Sequence, residues 1–174
     1  MANSIVYIIN SAPGVGKSTL LKKLHDRLPN GFAVIDGDDV GRITPYQNNA
    51  NWLNAMQDNL VDCCSNFRNY GFSRCVVAFV FPNAERLSRL TDMLAGRGFH
   101  TSHILLICSE DEIERRLTQR NTSKIINVNQ AKALNRQIQS LNADIRADTT
   151  EITADEVADL VNHYIMGGRQ LGDN

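Results

Sequence analysis

Ser11-Ala12-Pro13-Gly14-Val15-Gly16-Lys17-Ser18-Thr19 lies between an apolar, β-branched run, Ile5-Val6-Tyr7-Ile8-Ile9, and a segment whose leucines at 20, 21, 24 and 28 fall on one helical face. Strand, glycine-containing loop and helix, in that order, form the setting of a phosphate-binding loop. Glycines let such a loop turn its N–H groups inward, and the first turn of the following helix adds unpaired N–H groups of its own. Lys17 would set a compact positive charge on the β- and γ-phosphates, and the Ser18 hydroxyl is a ligand for Mg2+. The usual pattern begins with glycine, and Ser11 occupies that place here. Gly14-x-Gly16 with Asp36 downstream also touches the dinucleotide fingerprint, but that pattern needs a third glycine where Thr19 stands. The stretch therefore predicts a nucleoside triphosphate site, with Ala12, Pro13, Gly14, Val15, Gly16, Lys17, Ser18 and Thr19 around the phosphates.

At 174 residues the chain is expected to fold as a single domain over 1–174. Its 18 Lys+Arg against 19 Asp+Glu give no overall basic field to attract nucleic acid or an anionic membrane. The longest apolar run, Cys75 to Phe81, is far shorter than the roughly 20 residues of a membrane span. Met1-Ala2-Asn3-Ser4 leads straight into the first strand, which predicts no secretory leader. Cysteines 63, 64, 75 and 108 show no metal-ligand spacing, and the expectation is free thiols in a reducing cytoplasm.

Strands and helices alternate along the rest of the chain. Phe32-Ala33-Val34-Ile35 reads as a second strand, and a helix is expected from about Ala50 to Asn69, apolar at Trp52, Leu53, Met56, Leu60, Cys64 and Phe67. Cys75 to Phe81 has the continuous apolar character of a strand covered on both faces. A helix then runs from Asn83 to about Ala95, and His103 to Cys108 forms the fourth strand. Ser109 with Glu112 reads as a capping box opening a helix to about Gln119. A further helix is expected over about 128–141, a short fifth strand over 144–148, and a last helix capped by Thr153 with Glu156 and apolar at Val157, Leu160, Val161 and Ile165. Residues 166–174 read as a loosely ordered tail. The fold class that follows is α/β, a three-layer, five-stranded parallel sheet with helices on both faces. Ligands of such sheets bind beyond the carboxyl ends of the strands, which gathers 11–19, 36–39 and the turn after Phe81 on one rim.

Asp36, Asp38 and Asp39 follow the second strand. Phosphoryl transfer needs one carboxylate to orient or deprotonate the acceptor hydroxyl and another near the metal. If the segment stays extended, residues 36 and 38 project to the same side.

Val34-Ile35-Asp36-Gly37-Asp38-Asp39-Val40 after Gly-x-Gly-Lys-Ser resembles the small P-loop kinases of the nucleoside monophosphate kinase-like fold, which include shikimate, gluconate, adenylylsulfate and polynucleotide kinases. The resemblance covers about residues 4–165, with its sharp motifs at 11–19 and 36–42. It implies ATP and Mg2+ as cofactors, Asp38 as the general base, Asp36 near the metal beside Ser18, and Asp39 and Arg42 on the acceptor side. Arg116-Leu117-x-x-Arg120 resembles the run into the lid of these kinases, placed here at about 120–136, where arginines close over ATP phosphates. Arg116 and Arg120 share a helix face, with Glu112 as an alternative partner for Arg116, and Lys124 and Arg136 are further lid candidates. Asp148-Thr149-Thr150 resembles the segment that borders the adenine.

Three absences narrow the class. Asn83 follows Phe81-Pro82 where nucleotide-accepting relatives carry arginine, the guanine signature Asn-Lys-x-Asp is missing, and no acid ends the third strand as in motor and transport ATPases. The segment 40–56 is polar and amide-rich, which suits a hydroxylated small molecule. The expected activity is transfer of the ATP γ-phosphoryl group to such a hydroxyl, with Lys17, Asp38 and Arg120 as the catalytic set in a monomer or homodimer. A polynucleotide or nucleoside 5′-hydroxyl kinase and a nucleotide-binding regulatory module without an acceptor are the alternatives that these residues leave open.

Overall fold

The structure, a computed structural model, describes residues 4–45, 49–119 and 127–167. Five strands, β1 (Ile5–Asn10), β2 (Phe32–Asp36), β3 (Arg74–Phe79), β4 (His100–Ile107) and β5 (Ile145–Asp148), form one parallel sheet in the order β2-β3-β1-β4-β5. Among the described residues six helices connect and follow them: α1 (Lys17–Arg27), α2 (Ala50–Asn69), α3 (Ala84–Gly96), α4 (Glu110–Thr118), α5 (Val128–Gln139) and α6 (Ala154–Ile165). The fold class expected from the alternating pattern is the one observed.

Helices cover both faces of the sheet because the strands bury side chains on both sides. Val76 and Ala78 of β3 join Leu20, Leu24, Val161 and Ile165 in one core, under α1 and α6. Cys75, Val77 and Phe79, pointing the other way, join Met56, Leu60, Leu90 and Leu94, under α2 and α3. The period-two alternation of a strand thus divides one sequence run between two cores.

Several local expectations need correcting. The third strand ends at Phe79 and not Phe81, because Phe81 leaves the ladder to bond the Asn10 side chain. Phe67 and Leu160 are each 40% exposed, since they sit at the margins of their helices' apolar faces. Phe67 packs edge-on against Phe72. Ser109 caps α4, but Glu112 does not return the bond; its carboxylate turns to Arg115 and Arg116, so the reciprocal box forms only at Thr153 and Glu156. All four cysteines are free.

Strand register brings the chemistry level. Asn10 aligns with Phe79 and Leu105, and Asp36 with Ala78, so the carboxyl ends of the inner strands meet on one rim. Asn10, fully buried, donates Nδ2–H to the Phe81 carbonyl and accepts from the Phe81 N–H, both at 2.9 Å. That paired amide fixes the turn after β3 to the start of the 11–16 loop.

Candidate functional site

The 11–16 loop uses its glycines for two distinct purposes. Gly16, at φ 115°, precedes α1 in the left-handed region, and no side chain caps the helix, which leaves the first N–H groups of α1 open to an anion. Gly14, at φ 87°, also lies against Leu117 of α4, where an added Cβ would come within 3.0 Å. Either glycine replaced by an L-residue would be strained. Lys17 opens α1, and among the described residues it has no hydrogen-bond or ion-pair partner. Ser11 is fully buried, and its Oγ finds no partner among the described residues.

The Ser18 hydroxyl donates to Asp36 Oδ2 at 2.9 Å. An alcohol and a carboxylate are hard oxygen donors suited to Mg2+, which takes one or two protein ligands and completes its octahedron with phosphate and water. Among the described residues no group of three or more His, Cys, Asp or Glu is placed to hold a metal ion. The residues present therefore fit Mg2+ at Ser18 and Asp36.

The acidic turn is not the extended segment expected from the sequence. Gly37–Asp39 forms a single 3-10 turn, with Asp36 as its cap accepting from the Asp38 N–H at 3.1 Å. The alternation argument that put Asp36 and Asp38 on one side accordingly does not apply; proximity comes from the tight turn instead. Packing explains the turn. Gly37 lies so close to the Phe79 ring that an added Cβ would be 2.5 Å from Cδ2. Phe79 in turn contacts Trp52 and Phe81, with ring centroids 6.1 and 5.6 Å away. Asp38 and Asp39 are exposed on the rim, and Asp39 pairs with Arg42 at 3.3 Å. The chain leaving the turn is held to α2, where Asn59 Nδ2 donates to the Val40 carbonyl at 3.0 Å.

A cavity of about 490 Å3 opens on the other side of the loop, between α4 and the β5–α6 connection. Arg116 lies on its wall with its edges occupied. Nε donates to Glu112 Oε1 at 2.7 Å, Nη1 to the Val15 carbonyl at 3.0 Å and to Thr149 Oγ1 at 3.1 Å, and Nη2 to the Thr149 carbonyl at 2.5 Å. Arg115 and Arg116 hold the Glu112 carboxyl well below its usual range, at about 2. Of the two partners considered for Arg116, the ATP phosphates and Glu112, the structure shows Glu112, and it adds the Val15 carbonyl and Thr149. Thr149, 3% exposed, bridges the Val15 and Ile107 carbonyls at 3.1 Å each. Sequence reasoning treated Thr149 only as a border of the base site. Its place directly after the fifth strand is the one signal that could have marked it as a tie to the loop.

Arg120 and Lys124 lie outside the described residues, as does most of the loop entering the expected lid. Arg136, the other lid candidate, lies on α5 and pairs with Glu110. The structure thus gathers Gly14, Val15, Gly16, Lys17, Ser18, Thr19, Asp36, Asp38, Asp39 and Arg116 around one rim, with Arg42 on its outer side.

A family profile described as "AAA domain" matches residues 6–147. No curated protein matches the chain by sequence. Among solved structures, the Deinococcus radiodurans tunicamycin resistance protein aligns at 23% identity over 96% of this chain and 98% of its own, with a TM-score of 0.70. A gluconokinase from Sinorhizobium meliloti aligns at 17% identity over 94% and 93%, with a TM-score of 0.60. The Mycobacterium tuberculosis APS kinase, in complex with AMPPNP and APS, aligns at 17% identity over 95% and 99%, with a TM-score of 0.61. At these identities the likenesses establish a P-loop kinase-like fold. No helix among the described residues is long and apolar enough to cross a membrane.

Proposed function

This chain belongs to the AAA-domain family, and from its kinase-like fold we propose that it transfers the γ-phosphoryl group of ATP to a hydroxyl of a small-molecule acceptor. The observation that carries this reading is the acid supplied by β2. Ser18 and Asp36 meet at 2.9 Å, with Asp38 one turn on, whereas β3 ends in Phe79 with no acid beyond it before Pro82. An ATPase that activates water draws its acid from the third strand in the pattern set out above; a kinase of this type draws it from the second.

The roles follow from position. The loop N–H groups and Lys17 hold the β- and γ-phosphates. Ser18 and Asp36 would hold Mg2+, which would supply positive charge against the transferring group. Asp38 accepts the proton of the acceptor hydroxyl as its oxygen bonds to the γ-phosphorus and the bond to the ADP oxygen breaks. Arg42, paired with Asp39, would contact the acceptor, and Arg120, on the resemblance alone, would supply positive charge to the transferring group.

The test is ADP release from ATP with Mg2+ against pooled hydroxyl compounds: nucleosides, sugars and sugar acids, aminoglycosides and phenicols, tunicamycin, and 5′-hydroxyl oligonucleotides. Tunicamycin is included because one structural relative is a tunicamycin resistance protein. Stimulation by a small-molecule pool supports the reading. Stimulation by the oligonucleotides alone replaces it with a polynucleotide kinase, and no stimulation by any pool replaces it with a nucleotide-binding module.

A further inference from the structure

The ends of the strands opposite the phosphate rim carry a second chemistry. Register sets Ile5 level with Arg74 and His100, and Phe32 level with Arg74, so the starts of β1, β2, β3 and β4 meet there. The segments that build this end, 28–33, 66–75 and 96–103, hold Arg68, Arg74 and Arg97 and not one Asp or Glu. They also hold five aromatic residues. The balanced charge of the whole chain thus conceals a local surface that is both cationic and aromatic.

Local structure accounts for part of this surface. At the end of α2 the Gly71 N–H donates to the Arg68 carbonyl and the Phe72 N–H to the Phe67 carbonyl, each at 3.0 Å. A helix cap of this kind brings its flanking residues into apolar contact, which explains why Phe67 and Phe72 meet edge-on. It does not explain Tyr70, which lies between them in sequence and is 84% exposed.

Two of the arginines are held by their faces. The Arg68 guanidinium lies 4.4 Å from the Phe99 ring centre, and that of Arg74 lies 4.4 Å from the Phe32 ring centre. A guanidinium resting flat on a ring keeps its N–H edges for another partner, and phosphate matches that fork. Arg68 gives one nitrogen to the Arg97 carbonyl. The Arg74 side chain makes no hydrogen bond or ion pair among the described residues. Of the three arginines, Arg97 alone pairs with a carboxylate among the described residues, Asp62 of α2 at 3.2 Å.

This combination discriminates between occupants. A second copy docked across a two-fold axis would set the cationic end against itself, and like charges facing each other are costly. A duplex offers phosphates but keeps its bases in the stack. A single strand offers both at once, phosphates to the guanidinium edges and an unstacked base to the Tyr70 ring. We propose that this end of the sheet binds single-stranded nucleic acid, without sequence preference, through phosphate contacts to Arg68, Arg74 and Arg97 and stacking on Tyr70. The proposal stands apart from the kinase reading, whose ATP site lies at the other ends of the strands.

The experiment is fluorescence anisotropy of a labelled single strand of about 15 nucleotides, titrated with the full chain. The strand carries a 5′-phosphate, so it lacks the hydroxyl that a polynucleotide kinase would take. Three phosphate contacts predict a dissociation constant that rises about 20-fold between roughly 50 and 200 mM salt. Tyr70→Ala, which removes an exposed ring, should weaken binding about 5-fold or more. Arg74→Gln should lower the salt dependence by about a third. Saturating ATP with Mg2+ should leave binding unchanged. Binding that survives Tyr70→Ala intact overturns the proposal, and if ATP also displaces the strand, the phosphate rim is what binds it. Equal affinity for a duplex of the same sequence overturns it as well. So does a dissociation constant weaker than about 10⁻⁴ M at low salt, the weak limit of non-specific binding. Self-association that Tyr70→Ala abolishes, with no oligonucleotide bound, assigns the surface to a second copy instead.

Discussion

The Ser18 hydroxyl donates to the Asp36 carboxylate across 2.9 Å, joining the first turn of α1 to the last residue of β2. Two segments separated by an entire helix thereby present two oxygen donors at one point beside the phosphate loop. Asp36 has a second duty there, accepting from the Asp38 N–H through its other oxygen.

Asp36→Asn separates these duties. The amide oxygen still caps the 3-10 turn, but one negative charge leaves the proposed metal position. The Mg2+ concentration for half-maximal turnover should rise about 10-fold or more, with ATP binding in the absence of metal little changed. A Mg2+ titration at fixed ATP measures both. An unchanged Mg2+ requirement would remove Asp36 from the metal site.

Gly37→Ala tests why the acidic turn has its shape. The new Cβ would lie 2.5 Å from Phe79 Cδ2 and 2.9 Å from Phe79 Cβ, and Phe79 is 4% exposed and cannot swing away. Overpacking of this kind costs about 1–3 kcal/mol, and it should also displace Asp38 and lower turnover. Phe79→Leu in the same chain should recover part of both losses. Urea unfolding with parallel rate assays gives the comparison, and a neutral Gly37→Ala would contradict the close approach.

Much of this was legible in the sequence, and the misses have a common cause. Apolar periodicity identified the strands and helices because each run matches one period along its own length, as in the leucines of α1. The phosphate loop was legible because glycine, lysine and serine act through backbone conformation and fixed charge. The 3-10 turn was not, since it is imposed by the Phe79 ring of β3 pressing on Gly37, a contact between segments far apart in sequence. Glu112 failed as a capping box for the same reason: two arginines a turn away outcompete one backbone N–H. The bridging of Val15 to Ile107 by Thr149 joins three distant segments, so no local pattern announces it.

His103 sets a pH limit on stability. Burial pushes its pKa down, against the opposing pull of the Asn142 carbonyl and Asp144, while Arg146 adds to the depression. Nδ1 lies 2.6 Å from the Asn142 carbonyl, so it carries the proton, and Nε2 is buried without a partner among the described residues. The folded chain thus keeps the ring neutral over a range in which the unfolded chain binds a proton. Stability should fall as pH drops below the ordinary histidine value of about 6.5 and level off once the folded-state pKa is passed. His103→Gln should flatten that part of the curve. Unfolding free energies measured between pH 7.5 and 5 decide it, all within the range where such titrations are resolved. An identical slope in the variant would assign the effect elsewhere.

The central claim is that Asp38, delivered by β2 through the turn that Asp36 caps, is the base for transfer to an acceptor hydroxyl. The most direct measurement follows label from γ-labelled ATP into the acceptor identified by the pools, in wild type and Asp38→Asn. The account predicts label in the acceptor, a fall in kcat of about 10²–10⁴-fold in the variant, and a KM for ATP within about threefold of wild type, since uniform binding is untouched. Equal rates in the two proteins would contradict it.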